Sequence, residues 1–454
     1  MKKLLAGAMA LMMCAAAGCT AGEEVQTVTC LAENPETKET TVYEQAVTAA
    51  ETESDMVYSV EETTLGDPDG TETEASETSA DTAYGAEKTM GYFSENFLKE
   101  AFKDGENFII SPLSAKLALN MAAAGAEEGS ATERELLDLF GYENAEEMKK
   151  QSKAVIGALS RGKGVIEVNN SVWVSDKLDG LKEGYSGDLK KYFGAEGFTE
   201  NLSGNEFVDK LNGWVNENTK GLIPELLSDP LDETARLALV NTLYFKNEWA
   251  TQFVCYLTYD MDFFGTDSTV SVPTMHNTFY MDYREGERLK SVILPYADGS
   301  EMRIFLPADD TKNISDVIAE MSAEELSAEL NGSYENKNVQ ISMPKFECDY
   351  RGSLTEMLQR LGAKAAFDPS SASFGNMADT GDNPLYISMV LQAAKIICDE
   401  NGTEAAAATM VAVDECDSIE MPEEAIEFTV DRPFVYEILS PNGEVLFMGY
   451  MGNL

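Results

Sequence analysis

The chain has 454 residues, 44% of them hydrophobic, enough for one large domain with a tail or for two domains. Against 33 basic residues stand 80 acidic ones, a formal net charge of −47. Such a surface repels nucleic acid and anionic lipid, so neither is expected as a partner, and its attraction to cationic partners weakens with salt.

The first 18 residues read as an export signal, with Lys2 and Lys3 ahead of an apolar run from Leu4 to Ala17. The run ends in Ala16-Ala17-Gly18-Cys19, which resembles a bacterial lipobox, although Ala16 stands where a large apolar residue is usual. The expectation is a lipid on Cys19 and a protein anchored at the cell surface, with ordinary secretion as the alternative. No later run is long and apolar enough to span a bilayer. Residues 19–85 are rich in Thr, Ser, Glu and Asp, with Lys38 as their single basic residue. That composition buries too little apolar surface to fold, and like charges extend it. It reads as a disordered tether or a plain spacer.

The folded domain is expected over residues 86–454. Met90, Phe93, Phe97 and Ala101 recur at helical spacing. A short buried strand follows at Asn107 to Ile110, and Ser111-Pro112 caps and opens a helix that runs to Gly125. Thr132-Glu133-Arg134-Glu135 resembles a capping box for the next helix. Strands are expected at Gly164 to Val174, Leu237 to Phe245, Leu289 to Leu294, Glu301 to Leu306, Asn338 to Met343, Leu385 to Cys398 and Phe428 to Val430. The last pair, Phe434 to Leu439 and Val445 to Tyr450, is joined by a Pro441-Asn442-Gly443 turn. Strands and helices do not alternate strictly, so the class is mixed α/β (α+β) rather than doubly wound.

Enzyme chemistry finds little support. The single histidine, His276, reads as a half-exposed strand residue, and any Ser-His or Cys-His pair would have to use it. There is no Walker loop or dinucleotide fingerprint, and no cofactor or metal is expected. Cys14 and Cys19 lie in the signal and Cys30 in the tail. Cys255, Cys348, Cys398 and Cys416 are scattered without a CxxC pair, which leaves one disulfide among the four open.

The segment from Asp399 to Thr409 is the most informative. Gly402 tolerates backbone angles that other residues avoid, so it can act as a hinge. Behind it Thr403, Ala405, Ala407, Thr409, Val411 and Val413 occupy alternate positions, all small or β-branched and uncharged. Glu404, Ala406, Ala408, Met410 and Ala412 occupy the other face. That alternation suits a strand sliding between two others. Taken alone, the alanine run reads as a helix.

Several blocks resemble the serpin family, in order, from about Glu87 to Leu454. They are Asn107-Phe108-Ile109-Ile110-Ser111-Pro112-Leu113-Ser114 with Gly125-Ala126, then Val240 to Trp249, Met343-Pro344-Lys345-Phe346, Leu361-Gly362, Glu400 to Thr409, and Arg432-Pro433-Phe434-Val435-Tyr436 with Leu446-Phe447-Met448-Gly449. The resemblance implies three β-sheets surrounded by about nine helices, with an exposed reactive loop. It implies a monomeric inhibitor that traps a target serine protease in a covalent one-to-one complex. Cleavage of the loop forms an acyl-enzyme, and the freed loop enters the central sheet before water can release the protease.

The residue roles follow from the same resemblance. The hinge is Glu400, Gly402, Thr403, Glu404, Ala405, Ala406, Ala407, Ala408 and Thr409. Lys345, Glu400 and Trp249 form the breach where insertion begins. Ser111, Ser114, Asn241 and Gln392 form the shutter beneath mid-sheet, with Gln392 where the family has histidine. The cleaved bond is Cys416–Asp417, a small apolar bait suited to elastase-like proteases, with Asp417–Ser418 as the alternative and Met421 more remote. The stretch from Gly402 to Pro433 is several residues longer than usual, which keeps both bonds open. Two other functional readings stand: a non-inhibitory surface or binding protein of the same fold, and an inhibitor of an Asp-specific or cysteine protease.

Overall fold

The computed structural model describes residues 25–33, 40–48, 87–102, 106–159, 164–380, 384–403 and 425–454, and the side chains of none before 92. Nine α-helices occur among them: α1 (Glu87–Ala101), α2 (Pro112–Gly125), α3 (Ala131–Asp138), α4 (Ala145–Leu159), α5 (Glu183–Asp188), α6 (Asn205–Asn218), α7 (Ile314–Glu320), α8 (Ala323–Leu330) and α9 (Thr355–Arg360). The strands before mid-chain are β1 (Val25–Glu33), β2 (Thr40–Thr48), β3 (Phe108–Ile110), β4 (Val165–Ser175), β5 (Glu196–Glu200) and β6 (Leu237–Glu248). Next come β7 (Tyr259–Phe264), β8 (Thr269–Glu285), β9 (Leu289–Pro295), β10 (Glu301–Pro307), β11 (Glu335–Pro344) and β12 (Phe346–Ser353). The remainder are β13 (Ile387–Cys398), β14 (Gly402–Thr403), β15 (Ile426–Thr429), β16 (Phe434–Leu439) and β17 (Val445–Met451).

A six-stranded sheet, in the order β12-β13-β14-β6-β4-β5, carries the site. Both faces of its middle are covered, which is why β6 and β13 are nearly continuous apolar runs. On the outer face Phe207, Leu211 and Val215 of α6 pack on Trp173, Ala238, Val240, Leu391 and Ala393. On the inner face lies α2, almost wholly buried. Ser111 caps α2 by accepting from the Ser114 amide, and Pro112 opens the first turn, as the sequence predicts. Its alanine-rich surface lets it approach the sheet closely.

The inner face also packs on a nine-stranded sheet, β15-β11-β8-β9-β10-β16-β17-β3 with β7 on β8. The 17-residue strand β8 pairs with β7 and β11 along its length and with β9 at its end. Two of the three expected sheets are therefore joined through it into one. The Pro441-Asn442-Gly443 turn forms as expected, with Gly443 at φ +82° and its amide donating to the Ser440 carbonyl at 2.9 Å.

Two expectations need correction. Residues 25–33 and 40–48 pair antiparallel, within the stretch that composition assigns to an unstructured tether. Both are rich in Val and Thr, whose β-propensity an average over 19–85 conceals. The cap of α3 lies two residues earlier than Thr132 and lacks the reciprocal bond of a capping box. Ser130 caps α3 by accepting from the Glu133 amide at 3.1 Å, and the Glu133 carboxylate accepts from the Gly129 amide at 2.6 Å. Thr132 instead faces inward, its hydroxyl accepting from the Ser373 amide at 3.0 Å.

Candidate functional site

The site is the seam between β6 and β13. In its lower part the two strands pair directly and in parallel, Ile387 to Ala393 alongside Leu237 to Thr242. Above that rung their ladder stops. At the top the chain turns back on itself after Cys398, and β14 enters between the two strands. Thr403 pairs with Cys398 on one side and Asn247 on the other, and Gly402 with Glu248.

The turn that permits this is built from Asp399 to Gly402. Asp399 Oδ1 accepts from the Asn401 amide at 2.8 Å, and its own amide donates to the Gly402 carbonyl at 3.0 Å. Gly402 sits at φ +150°, and a Cβ there would lie 2.1 Å from the Asn247 carbonyl oxygen. Only glycine fits, for backbone angle and for space. That is the backbone freedom for which the sequence singles out Gly402.

Lys345, Glu400 and Trp249, to which the resemblance gives the breach role, lie together around this turn. Lys345 Nζ lies 2.7 Å from Glu400 Oε2, and the other carboxylate oxygen accepts from the Thr258 hydroxyl at 2.9 Å. The Trp249 indole donates to the Asp399 carbonyl at 2.9 Å, and its main-chain amide donates to the Asn401 carbonyl at 2.9 Å. The indole stacks on Tyr296 at 4.4 Å. Thr403 is buried, with its hydroxyl 2.6 Å from the Tyr296 hydroxyl. Sequence reasoning misses Tyr296 and Thr258, because both come from elements remote in sequence and nothing local marks them.

Mid-seam, Gln392 and Ser111 hold each other. The Ser111 amide donates to Gln392 Oε1 at 2.9 Å, and Gln392 Nε2 donates to the Ser111 carbonyl at 3.0 Å. Asn241, beside Gln392 in register, donates instead to Asn170 Oδ1 on β4 at 2.6 Å. Asn170 is a further member of this cluster. Its signal in the sequence is the polar Asn169-Asn170-Ser171 break inside an otherwise apolar strand. Ser114 Oγ, Asn241 Oδ1, Asn170 Nδ2 and Thr242 Oγ1 are buried without a hydrogen-bond partner. Glu404 to Thr409, Cys416, Asp417, Ser418, Met421 and Cys19 lie outside the described residues.

His276 is half-buried on β8, stacked on Tyr259 at 4.0 Å, with Nδ1 2.9 Å from the Ser342 hydroxyl. Burial lowers its pKa to about 4, so it stays neutral near pH 7. Cys348 and Cys398 are buried thiols in no disulfide. Burial pushes Cys348 up to about 12 and Cys398 well above the usual thiol range, so neither is a nucleophile.

A family model described as serpin (serine protease inhibitor) matches residues 89–454. An uncharacterized serpin-like protein of Thermococcus kodakarensis is 31% identical over 368 residues, 80% of this chain and 84% of that protein. Leukocyte elastase inhibitor A of Mus musculus is 30% identical over 357 residues, 76% of this chain and 92% of that protein. The native-state crystal structure of the thermophilic serpin tengpin superposes with a TM-score of 0.75 at 26% identity, covering 84% of this chain and 96% of that one.

Proposed function

The chain belongs to the serpin family, and from that premise we propose that it is an inhibitory serpin that traps serine proteases by drawing its own cut loop into the β6–β13 seam. The observation that carries this reading is β14, two residues of the hinge already seated between strands that pair directly lower down.

Continuing the register of β14 sets the rest of the insertion. Thr403 to Val413 run against Asn247 to Leu237, and the odd-numbered residues face inward as Thr403 does. Thr409 then falls between Asn241 and Gln392, where Asn241 Oδ1 and Ser114 Oγ have no partner. An entering strand supplies main-chain hydrogen bonds to both neighbours and a hydroxyl to the middle of that cluster. Glu404 faces outward, where its charge stays solvated.

In the trapping step the protease serine attacks the carbonyl of the bait residue, Cys416 in our reading. The peptide bond to Asp417 breaks, the new amine of Asp417 leaves with the proton, and an ester joins Cys416 to the enzyme. Insertion then carries the ester away from its attacking water. Cys416 is small and apolar, which suits an elastase-like pocket, with Asp417–Ser418 as the alternative bond. The complex is covalent and one-to-one with a monomeric inhibitor. The export signal and Cys19 support a cell-surface lipid anchor.

The test is to mix the protein with pancreatic and neutrophil elastases and run a denaturing gel. An SDS-stable complex is expected, with a C-terminal peptide beginning at Asp417 by mass spectrometry. Protein nicked in the loop is expected to melt well above the intact form. Clean cleavage without a complex, and no rise in melting temperature, would replace this reading with a binding role for the fold.

A further inference from the structure

We infer that Tyr296 is a positioning residue for insertion, a latch whose hydroxyl fixes the first rung and with it the register of the whole inserted strand. The inference rests on the insertion reading above.

The Tyr296 ring is immobilised before it meets the hinge. It is buried, stacked flat on Trp249 at 4.4 Å and 13°, and set edge-on to Phe245 at 5.0 Å and 73°. Its amide donates to the Ser300 carbonyl at 2.8 Å. The phenolic oxygen therefore occupies one fixed point beneath the top of the seam, 2.6 Å from Thr403 Oγ1. Thr403 is 1% exposed, so no solvent replaces that bond if it is lost.

A fixed hydrogen-bonding point inside a dry seam does two things. It holds the hinge in the sheet of the intact protein. It also chooses between registers. Side chains alternate along a strand, so a slip of one residue turns every inward residue outward. With Thr403 on Tyr296, the inward set is Thr403, Ala405, Ala407, Thr409, Val411 and Val413. A slip that placed Glu404 there would set a carboxylate among Phe245, Cys398 and the Trp249–Tyr296 stack. Thr403 is the hydroxyl-bearing residue that meets Tyr296 without that cost.

The test uses the intact full chain and two synthetic peptides, one copying residues 403–413 and one copying 405–413. The longer peptide can fill the seam only if Thr403 leaves it, whereas the shorter one does not compete for that rung. Annealing is followed by the rise in melting temperature. Tyr296→Phe keeps the stack and removes the hydroxyl, which leaves Thr403 Oγ1 buried without a partner. It is expected to speed annealing of the longer peptide about fivefold or more and to leave the shorter one unchanged. Thr403→Val should act alike, the double variant should be no faster than either single one, and Thr403→Ser should restore the wild-type rate. Thr403→Val also carries the test if Tyr296→Phe does not fold. Equal acceleration of both peptides would mean a generally loosened sheet and would overturn the latch, as would no change in either. In those two cases wild-type protein still anneals peptide and still melts higher when nicked. Failure of wild type in both respects would overturn the insertion reading itself, and the latch with it.

Discussion

The upper and lower parts of one seam solve the same problem differently. At the top, β6 and β13 stand apart around β14, and most of the side chains around Asp399 to Thr403 are partnered: Lys345 with Glu400, Glu400 with Thr258, Trp249 with Asp399, Tyr296 with Thr403, although Asn247 Nδ2 opposite Thr403 is buried without a partner. Lower down the strands close on each other and pair directly, with one irregularity between Ile387 and Met389, yet Ser114 Oγ, Asn241 Oδ1, Asn170 Nδ2 and Thr242 Oγ1 are buried without partners. An unmet buried polar group costs about 1–3 kcal/mol. Closure without an inserted strand is thus a compromise that satisfies the main chain and leaves side chains wanting. Under the proposed mechanism, the top resembles the product of insertion, and the middle retains a reason for it.

The severest way to break this contrast is at the top. Thr403→Arg would bury an unpaired charge against Tyr296 and Cys398, at a cost of several kcal/mol. Because Thr403 is already seated, the variant should expel β14 from the resting sheet as well as block later insertion. Covalent trapping should vanish, and nicked protein should melt no higher than intact protein. Any SDS-stable complex formed by this variant would contradict the role given to the first rung.

A smaller change probes the middle. Gln392→Ala removes both bonds to the Ser111 main chain and leaves an amide and a carbonyl buried and unpaired. The expected loss is about 2–4 kcal/mol, lowering the melting temperature of the intact protein by about 5 °C or more. Gln392→His adds a pH dependence that the wild type lacks at this point. A buried imidazole has its pKa pushed below the usual 6.5 or so, and stability is then lost as pH falls through that range. The wild type carries an opposite dependence elsewhere. Burial raises Glu95 on α1 from 4.5 to about 7 and Glu437 on β16 from 4.5 to about 8, so the stability tied to their protonated forms is lost as pH rises from about 4.5 through 7 and 8 respectively. The variant should therefore weaken selectively below about pH 6.5 relative to wild type. Superimposable melting profiles across mildly acidic pH would refute it.

How much of this is legible in the sequence depends on whether a residue acts within its own segment. Gly402 and the small, uncharged alternation behind it are local, and the need for glycine at the head of that alternation can be inferred from the neighbouring residues. Ser111-Pro112 announces the start of α2 for the same reason. Tyr296 is different. It lies just past β9, a strand of a different sheet, and its meaning arises only when Trp249 and Thr403 arrive from either side. The Lys345–Glu400 pair is legible only through family resemblance, because two opposite charges 55 residues apart carry no signal of proximity in so acidic a chain. Composition misleads at residues 25–33 and 40–48, where an average over a long acidic stretch hides two short runs of Val and Thr.

The gentlest probe sits at the foot of the seam. In the inserted state proposed above, continuing the β14 register past Val413 would set Asp414 opposite Arg236, on the outer face. Arg236 donates through Nη1 to the Glu233 and Ala235 carbonyls, while its Nε is buried and unpartnered. A carboxylate arriving there meets an unused donor and an opposite charge. Against this stand Asp229 and Asp232, which line a cavity of about 540 Å³ at the same end of the sheet. Cross-strand neighbours lie about 5 Å apart, whereas charges farther off in wet surroundings are largely screened, so the nearer pair should prevail. Asp414→Asn should leave the intact protein unchanged and lower the nicked protein's stability by about 0.5 kcal/mol, an effect that fades in about 1 M salt. If Asp414→Asn instead raises the melting temperature of the nicked form, the acids of the foot outweigh Arg236. The last part of the loop would then insert against its own charge, unlike the rungs above it.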